Sequence, residues 1–466
     1  MKTRFAPSPT GRIHLGNVRT ALFNALAAGN HDGVLLLRIE DTDAERSRDE
    51  YIDALVEDLA WLGLRWQEGV GASPEGDAGP YRQSQRGGIY DGYYRKLAET
   101  GRVYPCFCSQ EKLAVSRKLQ RAAGQAPRYT GTCAHLGADE VRAKLDEGLQ
   151  PALRFRVPQG ERIGYTDIVQ GEKLFASDDI GDFIIRRADG TPAFFFTNAI
   201  DDALMGVTHV LRGVDHETNT PRQLMLLAAL GLDAPIYGHI SLVIGADGKP
   251  LSKRSGSRSI AELRDEGYLP VAILNLLARL GHKYEDDGFL DAAGLAAGFD
   301  FARLGRSPAR YDESQLRHWQ KEAVARLDTD AFIRWVGGAL STVPEADRAI
   351  FVDAVRDNVA MPGDAAFWAE RVYADDLALS DEARAEVGLA GAGFFNAALV
   401  ALDECGTDFK SLSKFVGQAL GVKGKALFMP LRAALTGEVH GPNLGAVFPL
   451  IGVERARARL MAAARV

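Results

Sequence analysis

Residues 2–39, KTRFAPSPTGRIHLGNVRTALFNALAAGNHDGVLLLRI, carry the pattern that decides the fold. We expect residues 2–6 to form a short strand, because Pro and Gly residues at 7–11 interrupt it. From Val18 onward, apolar residues recur every three or four positions, which predicts a helix. Residues 34–39 are almost all apolar, as in a buried parallel strand. The order strand, helix, strand predicts an α/β fold that begins with a Rossmann-type parallel sheet.

The composition is that of a folded protein with several domains. The chain has 466 residues, of which 46% are hydrophobic and 25% charged, with a net charge of −7. This acidic balance repels phosphate, so binding to a nucleic acid would require Lys and Arg to be gathered locally. The N-terminus lacks the apolar segment of a signal peptide, and no apolar run approaches the ~20 residues that span a bilayer. We therefore expect a cytoplasmic protein with no membrane partner.

The pattern changes along the chain and predicts five segments. They are residues 1–100 and 191–240 for the two halves of the Rossmann domain, 101–190 for an insertion between them, 241–310 for a contact region, and 311–466 for an all-helical region. Parallel-strand character is expected to return at 194–196 and 207–212, in the second half of the sheet.

Two motifs supply groups that suit the phosphates of ATP. The first spans residues 4–17, RFAPSPTGRIHLGN, and places His14 and Gly16 where the helix begins. The N-terminus of a helix favours anions, and His14 can donate a hydrogen bond to a phosphate oxygen. The second motif is LSKRSG, residues 251–256, in which Lys253 can neutralise charge on a leaving pyrophosphate. Either motif alone would be an ordinary surface loop, but their combination with the sheet favours a phosphate site.

The order and spacing of these motifs resemble class I aminoacyl-tRNA synthetases, and specifically the bacterial glutamyl-tRNA synthetases. The resemblance covers nearly the whole chain, through residues 4–11, 14–17, 38–43, 79–84, 201–202, 205–212, 219–223, 251–254 and 423–437. It implies a monomer that activates L-glutamate with ATP and Mg²⁺. The glutamyl-adenylate then passes its glutamate to the 3′-terminal ribose of tRNA(Glu), with tRNA(Gln) as a second acceptor to be tested. The insertion would bind the acceptor arm, 241–310 the stem, and 311–466 the anticodon.

The resemblance also implies a role for particular residues. Arg4 and Arg212 would bind the carboxylates of glutamate, which suits guanidinium groups of fixed geometry. Glu40 would bind the substrate ammonium group. The remaining contacts to glutamate would come from Ser8, Phe194 and Asn198.

For ATP, the resemblance implies that His14 and Lys253 are catalytic. The full set expected to bind ATP is His14, Gly16, Asn17, Ser252, Lys253 and Arg254. The sequence departs from the usual family pattern at Phe194, where tyrosine is common, and at Val214, where glutamate is common. Pro250 replaces a lysine, and residues 316–320 also differ from the usual pattern.

Three of the four cysteines cluster with a histidine. Cys106 and Cys108 precede Cys133 and His135, with 24 residues (133 − 108 − 1) between the two pairs. Two close pairs of soft ligands suit one tetrahedral Cys₃His zinc ion with a structural role. The alternative, free buried thiols beside a surface histidine, would require three cysteines to cluster by chance.

Basic residues that could contact RNA occur at 117–121, 423–432 and 455–459. We favour Lys423, Lys425 and Arg432, because that stretch resembles the anticodon-binding region of the family. Any of these groups could instead be an ordinary solvated helix face.

Three other functions are weighed against the glutamate enzyme. A glutamyl-queuosine-type enzyme lacks a helical C-terminal third, and residues 311–466 argue against it. A glutaminyl-tRNA synthetase carries β-barrels in that region and would not use Arg212 for a neutral amide. A catalytically silent tRNA-binding paralogue stays open because of Phe194, Val214 and Pro250.

Overall fold

A computed structural model describes residues 1–251 and 258–466 of the chain. They form two compact units, which are described separately. The first comprises Met1–Glu262 and Ile273–Glu313, and the second Leu263–Ala272 and Ser314–Val466.

The strands are β1 Lys2–Phe5, β2 Val34–Leu37, β3 Glu68–Gly69, β4 Val103–Cys106, β5 Ala152–Phe155, β6 Arg162–Asp167, β7 Gly171–Ala176, β8 Phe183–Arg186, β9 His209–Gly213, β10 Ile236–Ile240, β11 Val243–Ile244 and β12 Ala309–Arg310. The α-helices up to residue 313 are α1 Leu15–Gly29, α2 Asp49–Trp61, α3 Gly87–Glu99, α4 Gln110–Ala122, α5 Ala138–Asp146, α6 Ser177–Ile180, α7 Phe194–Leu204, α8 Thr220–Leu230, α9 Ile260–Glu266, α10 Pro270–Arg279 and α11 Ala292–Ala297. The later helices are α12 Glu313–Ala325, α13 Thr329–Val336, α14 Arg348–Val355, α15 Pro362–Tyr373, α16 Asp381–Cys405, α17 Phe409–Leu420, α18 Lys425–Thr436 and α19 Leu444–Ala463.

The parallel strands of the first unit confirm the predicted Rossmann-type α/β fold. Strands β1, β2 and β3 pair in that order, and β9 pairs with β10, in each case in parallel. A backbone hydrogen bond of 2.9 Å from the N–H of Thr208 to the carbonyl of Lys2 connects the two groups of strands. The first elements are β1, α1 and β2, as the pattern of residues 2–39 predicts.

Helix α1 is held against the strands by its apolar face. Val18, Leu22 and Phe23 are fully buried or nearly so, and each such side chain stabilises the fold by about 1.5–3 kcal/mol. The amide of Asn24, on the same helix, donates a 3.0 Å hydrogen bond to the carbonyl of Leu211 in β9. These contacts fix the N-terminus of α1 beside the ends of β1 and β9.

The segment between the two groups of parallel strands contains antiparallel sheet. Strands β4, β5 and β8 form one antiparallel sheet, and β6 and β7 form a hairpin. The residues just after β6 contact the second group of parallel strands, because the N–H of Ile168 donates a 3.0 Å bond to the carbonyl of Tyr237 in β10. This contact brings the hairpin close to the end of β10.

One strand prediction is wrong. The run of three phenylalanines at 194–196 was expected to be a strand of the parallel sheet, but it is the first turn of helix α7. Phe196 and Ile200 are both fully buried and lie one helical turn apart. A short apolar run does not distinguish a strand from a buried helix, and here the i, i+4 burial selects the helix.

The second unit is helical around one apolar core. Its longest helix, α16, has 25 residues, and the most apolar 18-residue window of this helix has a mean hydropathy of 1.6. By length and composition alone such a helix could cross a membrane, whereas the sequence predicts no spanning segment. The side chains of Val387, Phe395 and Leu402 on this helix are buried in the core of the unit. Helix α16 is also kinked at Gly391, and about 33% of its most apolar window is buried.

Candidate active site

A cavity of about 460 Å³ opens at the ends of β1 and β9 and the start of α1. All of the described residues that were predicted to bind glutamate or ATP line it: Arg4, Ser8, His14, Gly16, Asn17, Glu40, Phe194, Asn198 and Arg212. Ser252, Lys253 and Arg254 lie outside the described residues. On either side of them, Pro250 and Leu251 line the cavity, and Ser259 forms a backbone bridge with His14.

Two arginines and two carboxylates form a buried ion network at the floor of the cavity. Arg4 Nε donates to Asp202 Oδ1 at 3.2 Å, and Arg38 Nη1 donates to the same oxygen at 2.8 Å. Arg38 Nη2 reaches Glu40 Oε1 at 3.0 Å. Arg38 Nε also lies 4.0 Å from Asp201, which Arg86 binds at 2.7 Å, so the network extends to three arginines and three carboxylates. These balanced charges are tolerated in the interior.

Glu40 is held by neutral groups as well as by Arg38. The amide of Asn198 donates to Glu40 Oε1 at 2.6 Å, and Gln223 in turn donates to Asn198 Oδ1 at 2.9 Å. Burial raises the pKa of Glu40, and the opposing effects of Arg38 and Asn198 only partly offset this. The carboxylate would gain from a further cation, which an ammonium group of a ligand could supply.

Arg212 differs from the other two arginines because it forms no ion pair with a described carboxylate. Its Nη2 donates to Thr220 Oγ1 and to Gln223 Oε1, both at 2.7 Å, and its Nε donates to His239 Nε2 at 3.0 Å. Its Nη1 is buried and has no partner among the described residues. Burial lowers the pKa of Arg212 to about 10, so the group remains a cation at neutral pH. A buried cation of this kind, lining a cavity, fits an anionic ligand.

The opposite wall of the cavity is the N-terminus of α1. His14 precedes the helix in extended conformation, and its N–H lies 3.4 Å from the side-chain oxygen of Asn17. A Cβ atom on Gly16 would meet only the imidazole of His14, at 3.4 Å. The positive end of a helix dipole and the backbone N–H groups of a first helical turn favour a phosphate group.

Several residues of the site were given no role by the sequence, although most of them lie in stretches that carry the resemblance. Arg38 and Asp202 complete the ion network, Gln223 joins Asn198 to Arg212, and the buried Arg19 donates a 2.7 Å bond to the carbonyl of Ser241 beside the cavity. Arg38 could have been found, since it stands two residues before Glu40 and side chains two apart share a face of an extended chain.

Phe194 and Pro250, two of the departures from the family pattern, line the cavity, and Val214 is next to residues that do. Phe194 supplies a ring whose centroid is 5.4 Å from that of His216, without the hydroxyl of a tyrosine. Asp215 lines the cavity immediately after Val214, but Val214 itself supplies no carboxylate.

The three cysteines of the predicted metal site lie together, and the nearest further side chain to them is not the predicted histidine. The sulfur atoms of Cys106, Cys108 and Cys133 all lie within 4.8 Å of one another. The hydroxyl of Tyr129 lies 3.4 Å from the sulfur atoms of Cys106 and Cys108. His135 is exposed and is not part of this group. The loop that carries Tyr129 thus brings a phenol to the thiols, while the imidazole of His135 lies on the surface, and the role of His135 as the fourth ligand stays a prediction.

A cation also lies beside the cluster. Arg154 Nε donates to Cys106 Sγ at 3.1 Å, and the guanidinium lies 3.7 Å from the centroid of the Tyr129 ring. A guanidinium in this position stabilises a thiolate, which is the form of cysteine that binds a metal.

The three residues favoured for RNA contact differ in their surroundings. Lys423 and Lys425 are exposed, and Lys425 is the first residue of α18. Arg432 is half-buried and donates a 2.6 Å bond to the carbonyl of Pro442, and its burial lowers its pKa.

Comparisons with known proteins divide the chain into two matched regions. Residues 1–318 match the catalytic domain of class I tRNA synthetases (E and Q), where E and Q denote glutamate and glutamine. Residues 333–464 match an anticodon-binding domain.

Similar proteins match almost the full length of the chain. It is 59% identical to glutamate–tRNA ligase 2 of Nitrosococcus oceani, over 99% of this chain and 97% of that protein. It is 57% identical to glutamate–tRNA ligase 1 of Halorhodospira halophila, over 100% of this chain and 97% of that protein. The crystal structure of a glutamate–tRNA ligase from Elizabethkingia meningosepticum, in complex with its amino acid, superposes with a TM-score of 0.90 at 27% identity, covering 100% of this chain and 99% of that one.

Proposed function

We propose that this chain, which belongs to the class I tRNA synthetases for glutamate and glutamine, is a glutamate–tRNA ligase. The observation that carries the proposal is the environment of Arg212. Its buried guanidinium lines the cavity, is held by three neutral acceptors and has one nitrogen without a described partner. Such a group stabilises a carboxylate far better than a neutral amide, so it favours glutamate over glutamine.

Glutamate would be bound at both ends by opposite charges. Its side-chain carboxylate would meet Arg212, and its ammonium group would meet Glu40, whose pKa is raised by burial and only partly lowered by its neighbours. Arg4 would guide the α-carboxylate, and Ser8 and Asn198 would supply neutral contacts. The hydrogen-bond chain from Glu40 through Asn198 and Gln223 to Arg212 would hold the two charged groups at a fixed separation.

ATP would lie against the N-terminus of α1. We propose that the α-carboxylate of glutamate attacks the α-phosphorus, forming glutamyl-adenylate and releasing pyrophosphate. His14 and Lys253 would stabilise the charge that develops on the phosphates, aided by Ser252 and Arg254, while Gly16 and Asn17 would contact the nucleotide. Mg²⁺ would arrive on the phosphates of ATP and neutralise part of their charge. The terminal ribose hydroxyl of tRNA would then attack the carbonyl carbon of the adenylate and displace AMP.

The helical region would bind the tRNA anticodon, as the match to an anticodon-binding domain suggests. Exposed Lys423 and Lys425 are our candidates for phosphate contacts, and Arg432 for a contact at the edge of that surface. Binding through phosphates implies an affinity that falls steeply with salt, as expected for an acidic protein with local basic groups. We propose tRNA(Glu) as the partner and a cytoplasmic monomer as the working form.

The cysteine cluster would hold one structural zinc ion. Cys106, Cys108 and Cys133 offer three soft ligands in a compact group, and the Tyr129 hydroxyl is close enough to complete a tetrahedron. With no open position for a substrate, such a metal would stabilise the inserted segment and take no part in catalysis.

Exchange of pyrophosphate into ATP tests this function. The assay uses each of the common amino acids in turn, with and without purified tRNA(Glu) or tRNA(Gln). We expect exchange with glutamate, dependent on tRNA as the resemblance implies, and none with glutamine. Exchange with glutamine alone would contradict the assignment of Arg212, and no exchange with any amino acid would identify a catalytically silent tRNA-binding paralogue.

A further inference from the structure

Behind Arg212 lies a buried histidine–aspartate pair that the proposed reaction does not yet use. His239 is in β10 and Asp167 is the last residue of β6, and both are buried. His239 Nδ1 lies 2.5 Å from Asp167 Oδ2, and His239 Nε2 lies 3.0 Å from Arg212 Nε. The three side chains therefore form a line that runs from the inserted hairpin to the wall of the cavity.

The geometry determines which nitrogen of His239 carries the proton. A carboxylate only accepts hydrogen bonds, so Nδ1 must be protonated in order to donate to Asp167. The Arg212 Nε always carries a hydrogen, so Nε2 must offer its lone pair to receive it. Thr220, whose hydroxyl lies 3.2 Å from Nε2, is compatible with this arrangement because it can donate there while it accepts from Arg212 Nη2. His239 is thus the neutral, Nδ1-protonated form.

The surroundings of His239 favour the neutral form. Burial lowers its pKa, and the charge of Arg212 acts in the same direction. Asp167 and Glu217 raise the pKa of His239, but on balance this pKa stays below its usual value. Among the described residues, the phenols of Tyr165 and Tyr237 also lie near the ring, with ring centroids 6.4 and 6.3 Å from it, and His216 interacts with His239 electrostatically.

Asp167 is fixed on its other side by the backbone. Its Oδ1 accepts bonds of 2.9, 2.9 and 3.1 Å from the N–H groups of Val169, Gln170 and His239. Burial alone would raise the pKa of Asp167, but the hydrogen bonds from His239 and from these N–H groups lower it below its usual value. The carboxylate therefore stays ionised and holds the tautomer of His239.

We propose that His239 and Asp167 are positioning residues that orient Arg212 toward the side-chain carboxylate of glutamate. The proposal rests on the proposed function and adds the groups that prepare its specificity. A neutral imidazole fixes the guanidinium through Nε without cancelling its charge, which leaves Nη1 available to the substrate. A carboxylate in the same place would fix Arg212 equally well, but it would neutralise the charge that selects glutamate over glutamine.

Asp167→Asn tests the tautomer directly with almost no change in shape. The new amide can keep its oxygen on the three backbone N–H groups and turn its NH₂ group toward His239 Nδ1. His239 Nδ1 must then accept a hydrogen bond from the amide, so the imidazole proton moves to Nε2. The Nε2–H group then faces the Nε–H group of Arg212, and the hydrogen bond between the two side chains is lost. We expect the KM for glutamate to rise about 10- to 100-fold, which corresponds to the loss of one hydrogen bond to a charged group. The KM values for ATP and tRNA should stay within about twofold of the wild type, a split that general loss of structure would not produce.

Two substitutions of His239 provide a matched pair. The side-chain oxygen of His239→Gln can reach the place of Nε2 and accept from Arg212, so this variant should keep the KM for glutamate within about fivefold of the wild type. His239→Asn is too short to reach Arg212 and should resemble Asp167→Asn. Equal KM values for the Gln and Asn variants would overturn the proposal.

Nitrogen NMR of wild-type protein labelled with ¹⁵N-histidine supplies a readout that is independent of activity. The His239 signal is assigned by its loss in His239→Gln. We expect a neutral imidazole protonated at Nδ1, and a signal for Nε2 protonation in the wild type would contradict the inference. If the wild type charges tRNA with glutamate but Asp167→Asn leaves the KM for glutamate unchanged, the positioning role is wrong and the proposed function stands. A wild type that charges no glutamate refutes both.

Discussion

Replacing Arg212 by glutamine should remove the selectivity for glutamate while leaving the fold intact. The substrate carboxylate would lose its charged partner in a buried site, and leaving such a group unpaired costs about 3–5 kcal/mol. This corresponds to a fall in kcat/KM for glutamate of roughly 100- to 4,000-fold. Stability should not fall in parallel, because Arg212 forms no ion pair with a described carboxylate and its buried charge is itself unfavourable.

The measurement is glutamate-dependent aminoacylation of tRNA, together with thermal unfolding of each variant. Arg303→Gln is the matched control, since its guanidinium pairs with Glu285 and Asp300 at the surface and does not line the cavity. Arg212→Lys keeps the charge but loses the planar donors, so its kcat/KM should lie between those of the wild type and Arg212→Gln. A loss below fivefold in Arg212→Gln, or an equal loss in Arg303→Gln, would refute the reasoning.

The other predictions concern the ion network, the pocket and the cysteine cluster. Asp202→Asn should lower the free energy of unfolding by about 3–5 kcal/mol at neutral pH, because it breaks a buried ion pair. Burial raises the pKa of Asp202, but its two arginine partners outweigh this and lower it, so the stabilisation is lost as the pH falls through that lowered pKa. Denaturant titrations should therefore show a smaller difference between wild type and variant in strong acid than at neutral pH. The KM for glutamate should rise as the pH is lowered, because protonation of Glu40 removes the charge that binds the substrate ammonium group. Since the pKa of Glu40 is raised, this rise should begin at a higher pH than the ordinary pKa of a glutamate side chain would give. A KM that does not change with pH would argue against the role of Glu40. Phe194→Tyr should lower that KM by up to about tenfold if the added hydroxyl gains one hydrogen bond. Elemental analysis should find one zinc ion per chain, retained in His135→Ala and more readily lost to a chelator in Tyr129→Phe; the reverse order would support the Cys₃His set.

The local part of the fold could be predicted from the sequence. The first strand, helix and strand follow from the apolar pattern of residues 2–39, because that pattern reports which face of each element is buried. The phenylalanine run at 194–196 was misassigned because all of its side chains are apolar and carry no periodicity. Only the packing of α7 against its neighbours separates the two conformations.

The residues of the cavity were predictable where they stand in a motif and otherwise were not. His14 stands in a motif that by itself suggests a phosphate site, and the resemblance added Arg4, Glu40 and Arg212. Asp167 and His239 belong to no pattern, because they meet only when the inserted hairpin packs against β10. In the cysteine cluster, spacing suggested an imidazole, but the path of the loop determines which side chain reaches the sulfur atoms, and spacing does not describe that path.

The most direct test of the central claim is aminoacylation of purified tRNA(Glu) with labelled glutamate, in the presence of excess unlabelled glutamine. We predict that the wild type charges tRNA(Glu) with glutamate at an initial rate that the glutamine leaves unchanged, and that the Arg212→Gln preparation is close to inactive. If glutamine competes effectively, or if tRNA(Glu) is not charged at all, the buried cation at Arg212 does not have the function assigned to it.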